Sequence, residues 1–223
     1  MSRRSGSRRA RGREKVILVF GENFNDTRAI RELIAALCPG IEAYIEIRKT
    51  PIILMKQVTG MKLRSKAQQL ARILRAERRL RDIECVFIHE DADALEPAHA
   101  SLARKIEESV AAEGESIHAV VPAWEIESWW LLWPDVLGSC RESWRSPTEF
   151  RGMNIGLVAD AKEALRNALR TANSNRGAEY KERDSVMIAA AIRSTGVAAS
   201  PQGLSASYDR FRQSVKVCCE GVT

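Results

Sequence analysis

The chain has 223 residues, 45% hydrophobic and 29% charged, which suits one large soluble domain or a domain with a smaller appendage. No apolar run approaches bilayer-spanning length, and the N-terminal run Val16 to Phe20 is too short for a signal-peptide core. The net charge of +6 belongs to residues 1 to 13, where six arginines stand without an acid; the remainder has 29 basic and 29 acidic residues.

Residues 1 to 14 read as a disordered tail rich in Ser, Gly and Arg, with charge suited to nucleic acid phosphates or simply to water. KVILVF, 15 to 20, is a continuous apolar run that predicts a buried parallel strand ending at Gly21. Asn25-Asp26-Thr27 offers helix caps, and Ile30, Leu33, Ile34 and Leu37 follow at helical spacing. IEAYIEIR, 41 to 48, alternates like a half-buried strand. Residues 62 to 81 predict a long helix with the stripe Leu63, Ala67, Leu70, Leu74, widened by Ile73 and Leu80. Its outer face is almost wholly basic, with Arg72, Arg75, Arg78 and Arg79 prominent, which suits a polyanion.

Residues 83 to 89 predict a third strand, 96 to 113 a third helix and 117 to 124 a fourth strand. Helices between successive strands imply right-handed crossovers and a mostly parallel four-stranded sheet flanked by helices. That α/β unit takes residues 15 to 135, and a helical region, 136 to 223, packs on it. Within the latter, 157 to 170, 184 to 194 and 206 to 217 read as helices, separated by polar linkers at 143 to 154 and 171 to 177. Trp124, Trp129, Trp130 and Trp133 read mainly as core joining the two regions, with a partner surface as the other use. Five cysteines (38, 85, 140, 218 and 219) with no C-x-x-C pair predict neither a disulfide framework nor a zinc site, and so a reducing cytoplasm. The three histidines show no metal-ligand spacing, and His89 reads as a buried strand histidine.

In an open parallel sheet, ligands bind beyond the carboxyl ends of the strands. Acids fall at those ends: Glu22 after the first strand, Asp91 and Asp93 after the third, Glu125 and Glu127 after the fourth. Together they would repel one another unless a cation joined them, and magnesium (or manganese) with its preference for hard oxygen ligands fits. Asp-x-Asp spacing in an extended segment points both carboxylates the same way and turns Glu90 aside. Single acids also have plain structural uses: Asp93 as a cap for the third helix, Glu125 and Glu127 as first-turn helix acids. A receiver-like signalling domain would need a paired acid after the first strand, one phosphoacceptor Asp after the third and a Lys after the fifth, whereas here an Asp-x-Asp follows the third strand and no such Lys is evident.

The ordered segments FGENFNDTRAIREL, FIHEDADAL and VPAWEIESWWLL resemble the Toprim fold of topoisomerases, bacterial primases and overcoming-lysogenization-defect nucleases. Glu22 matches the Toprim glutamate and Asp91-Ala92-Asp93 the Asp-x-Asp; Gly21 precedes the glutamate here, whereas many Toprim sequences place Gly after it. Pro-x-x-Glu-Ile-Glu-Ser-Trp resembles the third motif of small Toprim-like proteins related to RloB and the DUF4276 group, with the matching glutamate at Glu127. YKERDSVMIAAAI and SYDRFRQSV resemble the helical tail of that group, its Tyr-x-Lys appearing as Tyr180-Lys181. The resemblance implies a magnesium-dependent nuclease in which Asp91, Asp93 and Glu127 hold metal. Glu22 would be a ligand or general base, and Glu125 a support or second-metal ligand. Lys181 and the arginine face would meet DNA or RNA, tRNA included, with that choice left open. It also implies anti-phage or abortive-infection systems with an ABC-type ATPase. The chain has no G-x-x-x-x-G-K-[ST] loop, so any ATPase is a separate subunit. A regulatory subunit with a degenerate site is the rival reading, and a second copy of the chain is a further candidate partner.

Overall fold

The computed structural model describes residues 13–48, 55–171 and 179–222. The arginine-rich tail up to residue 12 and most of the 171 to 177 linker lie outside the described residues. Strand β1 (Lys15–Phe20) leads to helix α1 (Phe24–Leu37), and β2 (Ile45–Ile47) is followed by α2 (Gly60–Leu80). β3 (Asp82–His89) leads to α3 (Ala98–Ala111), and then comes β4 (His118–Val120). The four strands form one parallel sheet in the order β2-β1-β3-β4. The expected α/β class with helices on both faces is therefore the observed one.

The side-chain alternation of β1 shows why its sequence is apolar throughout. Ile17 and Val19 enter one core with α1 and the C-terminal helices, while Val16, Leu18 and Phe20 enter another with α2 and α3. β3 divides likewise, Phe87 to the first core and Ile83, Val86 and Ile88 to the second.

β2 is shorter than the alternation of 41 to 48 suggests, because Glu42–Tyr44 coils into a 3-10 turn first. Leu80 does not join the α2 stripe; it is 75% exposed. The reason is that α2 ends there and the chain turns directly into β3.

The C-terminal region contains α4 (Glu127–Trp130), α5 (Pro134–Cys140), α6 (Ala161–Leu169), α7 (Ser185–Thr195) and α8 (Ala206–Val222). It shares one continuous core with the sheet: Ile188 and Ile192 of α7 and Phe211 and Val215 of α8 pack with Ile17, Val19 and Phe87. Trp129, Trp130 and Trp133 are buried in that core, Trp129 stacked on Phe211 at 5.2 Å and set edge-on to Tyr208 at 5.3 Å. These three tryptophans are thus packing residues, whereas Trp124 is half-buried and outside the core.

The cysteine expectation is overturned. Cys38 is disulfide-bonded to Cys219 and Cys85 to Cys218, across 181 and 133 residues of chain. Spacing rules read local motifs, and these pairs are made by the fold: α8 lays its last turns against the C-cap of α1 and the middle of β3. The pairing removes the sequence-based ground for a reducing compartment. Among the described residues, no helix is long and apolar enough to cross a membrane.

Candidate metal centre at the carboxyl edge of the sheet

α1 and α2 leave the sheet on opposite faces, so the strand order reverses between β1 and β3 and opens a crevice beyond their carboxyl ends. Glu22 follows β1 at that crevice. Its approach depends on Gly21, where a Cβ would run into Thr27 Oγ1 in the first turn of α1. Asn23, not the Asn25-Asp26-Thr27 run, caps α1: its Oδ1 accepts from Asp26 N at 2.9 Å. That frees Asp26 to turn its carboxylate inward, where it is buried and accepts from Asn23 Nδ2.

Beyond β3, the chain stays paired with the segment beyond β4. Glu90 N donates to Val120 O, Ala92 N to Pro122 O, Asp93 N to Trp124 O and Trp124 N to Ala94 O, at 2.7 to 3.2 Å. Asp93 (φ 49°) and Trp124 (φ 60°) both adopt left-handed backbone there. Such conformations are costly for non-glycine residues and persist only where the surroundings impose them, as at functional turns.

The strand-end segments are tied to one another, while their acids fall into two groups: Glu22 and Asp93 around one lysine, Glu125 and Glu127 around another. Glu22 Oε1 accepts from Asp91 N at 3.1 Å, and Asp91 Oδ1 accepts from Ile126 N, between Glu125 and Glu127, at 3.2 Å. α8 steadies this third segment, because Ser207 Oγ accepts from Ala123 N at 3.2 Å and from Trp129 Nε1 at 3.0 Å.

What neutralises the acids was not expected. Lys56 Nζ lies 2.8 Å from Glu22 Oε1 and 2.9 Å from Asp93 Oδ2. Asp93 is therefore an ion-pair partner and not a helix cap; Pro97 occupies the N-cap position of α3. Lys162 Nζ lies 2.9 Å from Glu125, 3.0 Å from Glu182 and 3.8 Å from Glu127. His89 Nε2 stands 3.1 Å from Asp91 Oδ1, although neither ring nitrogen makes an aligned hydrogen bond. One ligand atom each from Asp26, His89 and Asp91 lie within 4.8 Å of one another, a grouping able to hold a metal ion. His89 thus has a place at the site that sequence spacing did not assign it.

Environment sorts these groups. Burial raises the Asp26 carboxyl to about 6, despite nearby His89. Burial raises Glu127 to about 8, against the pull of Lys162. Burial alone would depress the His89 imidazolium, but Asp91, Asp26 and Glu22 hold it up at about 9. Asp91 feels the same burial, yet the positive charge of His89 keeps it below the usual carboxylate range. Lys56, despite partial burial, is held above the ordinary lysine range by Glu22 and Asp93. Tyr180 is buried against Glu127, donating to its Oε1 at 3.1 Å and sharing a 2.6 Å hydrogen bond with Ser185.

Glu90, set aside by alternation, is fully buried and accepts from Met55 N and Lys56 N at 2.8 to 3.0 Å. It fixes the loop that presents Lys56. Lys181 is exposed beside the acidic cluster, its backbone N–H donating to Asp184 at 2.9 Å, while the inward cation at this corner is Lys162. Arg75 and Arg78 are engaged internally: Arg78 donates to Glu115 and to Ile83 O at 3.0 Å, and Arg75 donates to Glu113 O. Arg72 and Arg79 are exposed. Ile83 is the second residue of β3 and Asp91 lies just past its end, so about 25 Å separate Arg78, bonded to Ile83 O, from the carboxylates.

Asp26 carried a faint signal, one helical turn after Glu22. Lys56 and Lys162 carried none, since each lies far in sequence from every acid it meets except Glu182. Comparison of the chain with family models, curated proteins and solved structures gives no match.

Proposed function

We propose that the chain is a Toprim-like, magnesium-dependent nuclease that hydrolyses phosphodiester bonds at the carboxyl edge of β1, β3 and β4. The observation carrying this reading is the convergence of Glu22 and Asp93 on one cation, Lys56 Nζ, with Asp91 bonded to Glu22 through its backbone. Two carboxylate oxygens within 2.9 Å of one positive centre form a donor set that suits a hard divalent ion. Glu22, Asp91 and Asp93 would hold magnesium, or manganese, with Asp26 and His89 beside them and Glu127 closing the far side. Bound there, the ion would polarise the scissile phosphate and acidify a water. As the alternative to ligating the ion, Glu22, with its side chain 19% exposed, would take that water's proton as general base. Glu127, held largely protonated at neutral pH by burial, is suited to give a proton to the leaving oxygen. Glu125 and Lys162 orient Glu127 from the C-terminal side.

Nucleic acid, DNA or RNA, is the substrate class, and an ABC-type ATPase in an anti-phage system is the partner that the Toprim-like motifs suggest. Asp91→Ala and Glu22→Ala, assayed with magnesium on plasmid and on tRNA, should each lose at least 100-fold in cleavage rate. Full activity in both variants would end this reading. One observation favours a non-catalytic regulatory subunit instead: the chain already neutralises its acids with Lys56, His89 and Lys162. Magnesium titration by calorimetry separates the two, since a relic site would give no binding heat.

A further inference from the structure

The Lys56 side chain is 11% exposed, and its two anionic partners are residues assigned above to the metal. Its backbone is anchored on both sides. Lys56 N–H donates to the buried Glu90 carboxylate at 2.8 Å, and Lys56 C=O accepts from Lys105 Nζ at 3.0 Å. Met55 N donates to the same Glu90 carboxylate at 2.8 and 3.0 Å, and the Met55 side chain is buried in the second core. A loop residue pinned through its N–H, its C=O and its neighbour's side chain delivers its ammonium to one place. Glu90 is an expensive anchor, for a fully buried carboxylate must be given hydrogen-bond donors, and here the N–H groups of Met55 and Lys56 supply them. A carboxylate buried at the end of a central strand solely to fix a loop implies that the position of Lys56 matters.

We propose that Lys56 is a built-in counter-ion that occupies the divalent-metal position, so that metal and Lys56 compete for Glu22 and Asp93. The inference rests on the metal reading above and adds to it the element that sets metal affinity. Two like-charged centres cannot share two oxygens within 2.9 Å of one point, so metal entry requires the side chain to swing out on its four-carbon stem. The anchored backbone stays, and the released ammonium remains at the mouth of the site. In the metal-free protein the same contact keeps Glu22 and Asp93 from repelling each other, so the site is preformed. Lys56 is in this sense a positioning residue: it acts on the metal through the carboxylates.

The test is magnesium titration by calorimetry at one fixed pH on the full chain, comparing wild type, Lys56→Met and Lys56→Arg. Lys56→Met should bind magnesium about tenfold tighter than wild type or more, because a competing cation is gone, and Lys56→Arg should stay near wild type. A second readout needs no variant. Acetylation of Lys56 by an amine-reactive ester, followed by mass spectrometry, should rise several-fold when magnesium is added to the wild type. If Lys56→Met binds magnesium with unchanged or weaker affinity, or Lys56 labelling ignores magnesium that does bind, the competition is refuted and the metal site stands. If neither wild type nor Lys56→Met gives binding heat, the metal reading fails and this inference falls with it. Circular dichroism on both variants identifies misfolding, and the labelling experiment then decides alone.

Discussion

Replacing Asp91 by Asn in the metal-free protein isolates the buried His89–Asp91 pair. Asn keeps the shape and an oxygen for the Ile126 N–H, which lies 3.2 Å from Asp91 Oδ1, so the backbone tie between the two loops is retained. What is lost is the negative charge 3.1 Å from His89 Nε2. His89 is fully buried, so solvent screening takes little from the effect. Its folded-state pKa of about 9 exceeds the ordinary 6.5, a gap that corresponds to about 3 kcal/mol of stability, with Asp91 the largest upward contributor ahead of Asp26 and Glu22. A raised folded pKa means that the native state binds the extra proton. The contribution is therefore complete below pH 6.5, declines between 6.5 and 9, and vanishes above. Urea unfolding in EDTA should show Asp91→Asn less stable than wild type by about 3 kcal/mol at pH 6, the gap closing by pH 9.5. A gap independent of pH, or an Asn variant as stable as wild type at pH 6, would refute a charged His89 held by Asp91.

Glu127→Gln should match wild type in stability near pH 5 and exceed it at pH 9. Burial raises the Glu127 carboxyl to about 8, so between 4.5 and 8 only the unfolded state ionises and wild type loses stability across that window, none beyond it; urea titrations at the two pH values check this. Trp129→Ala should cost about 4 kcal/mol in the same assay, removing a fully buried ring that packs on Tyr208 and Phe211. Dithiothreitol should lower the thermal midpoint of the wild type, since bonds closing 181 and 133 residues of chain each constrain the unfolded state by about 5 kcal/mol; a midpoint unchanged by reductant would show free thiols. Arg78→Ala should destabilise by about 1 kcal/mol through the loss of its bonds to Glu115 and Ile83 O, while Arg72→Ala at an exposed position should leave stability unchanged.

The legible parts of the fold were those written in local periodicity. The apolar run of β1, the alternation in β3 and the helical stripes of α2 and α3 specify elements because each must bury a face against its neighbours. Errors cluster where local pattern and tertiary context disagree. Ile41 and Ala43 alternate like a strand but precede or enter a 3-10 turn, because β2 pairs with β1 only through Ile45–Ile47. Leu80 sits in phase with its helix but past the sheet it would have to cover.

By itself, the sequence determined the parallel α/β sheet and the delivery of Glu22, Asp91, Asp93 and Glu127 to one edge of it. Both follow from short-range pattern, since strand ends and their order are set by the residues that form the strands. Only the tertiary structure decided which charges face those acids. Lys56 arrives from the loop before α2, Lys162 from α6, and His89 lies on the same side of β3 as Asp91, while Asp26 turns in because Asn23 takes the cap. The two disulfides likewise depend on where α8 comes to rest. Contacts between groups 34 to 181 residues apart leave no trace in local spacing; the fold makes them, through the burial that orders the core and the cost of leaving a buried charge unpaired.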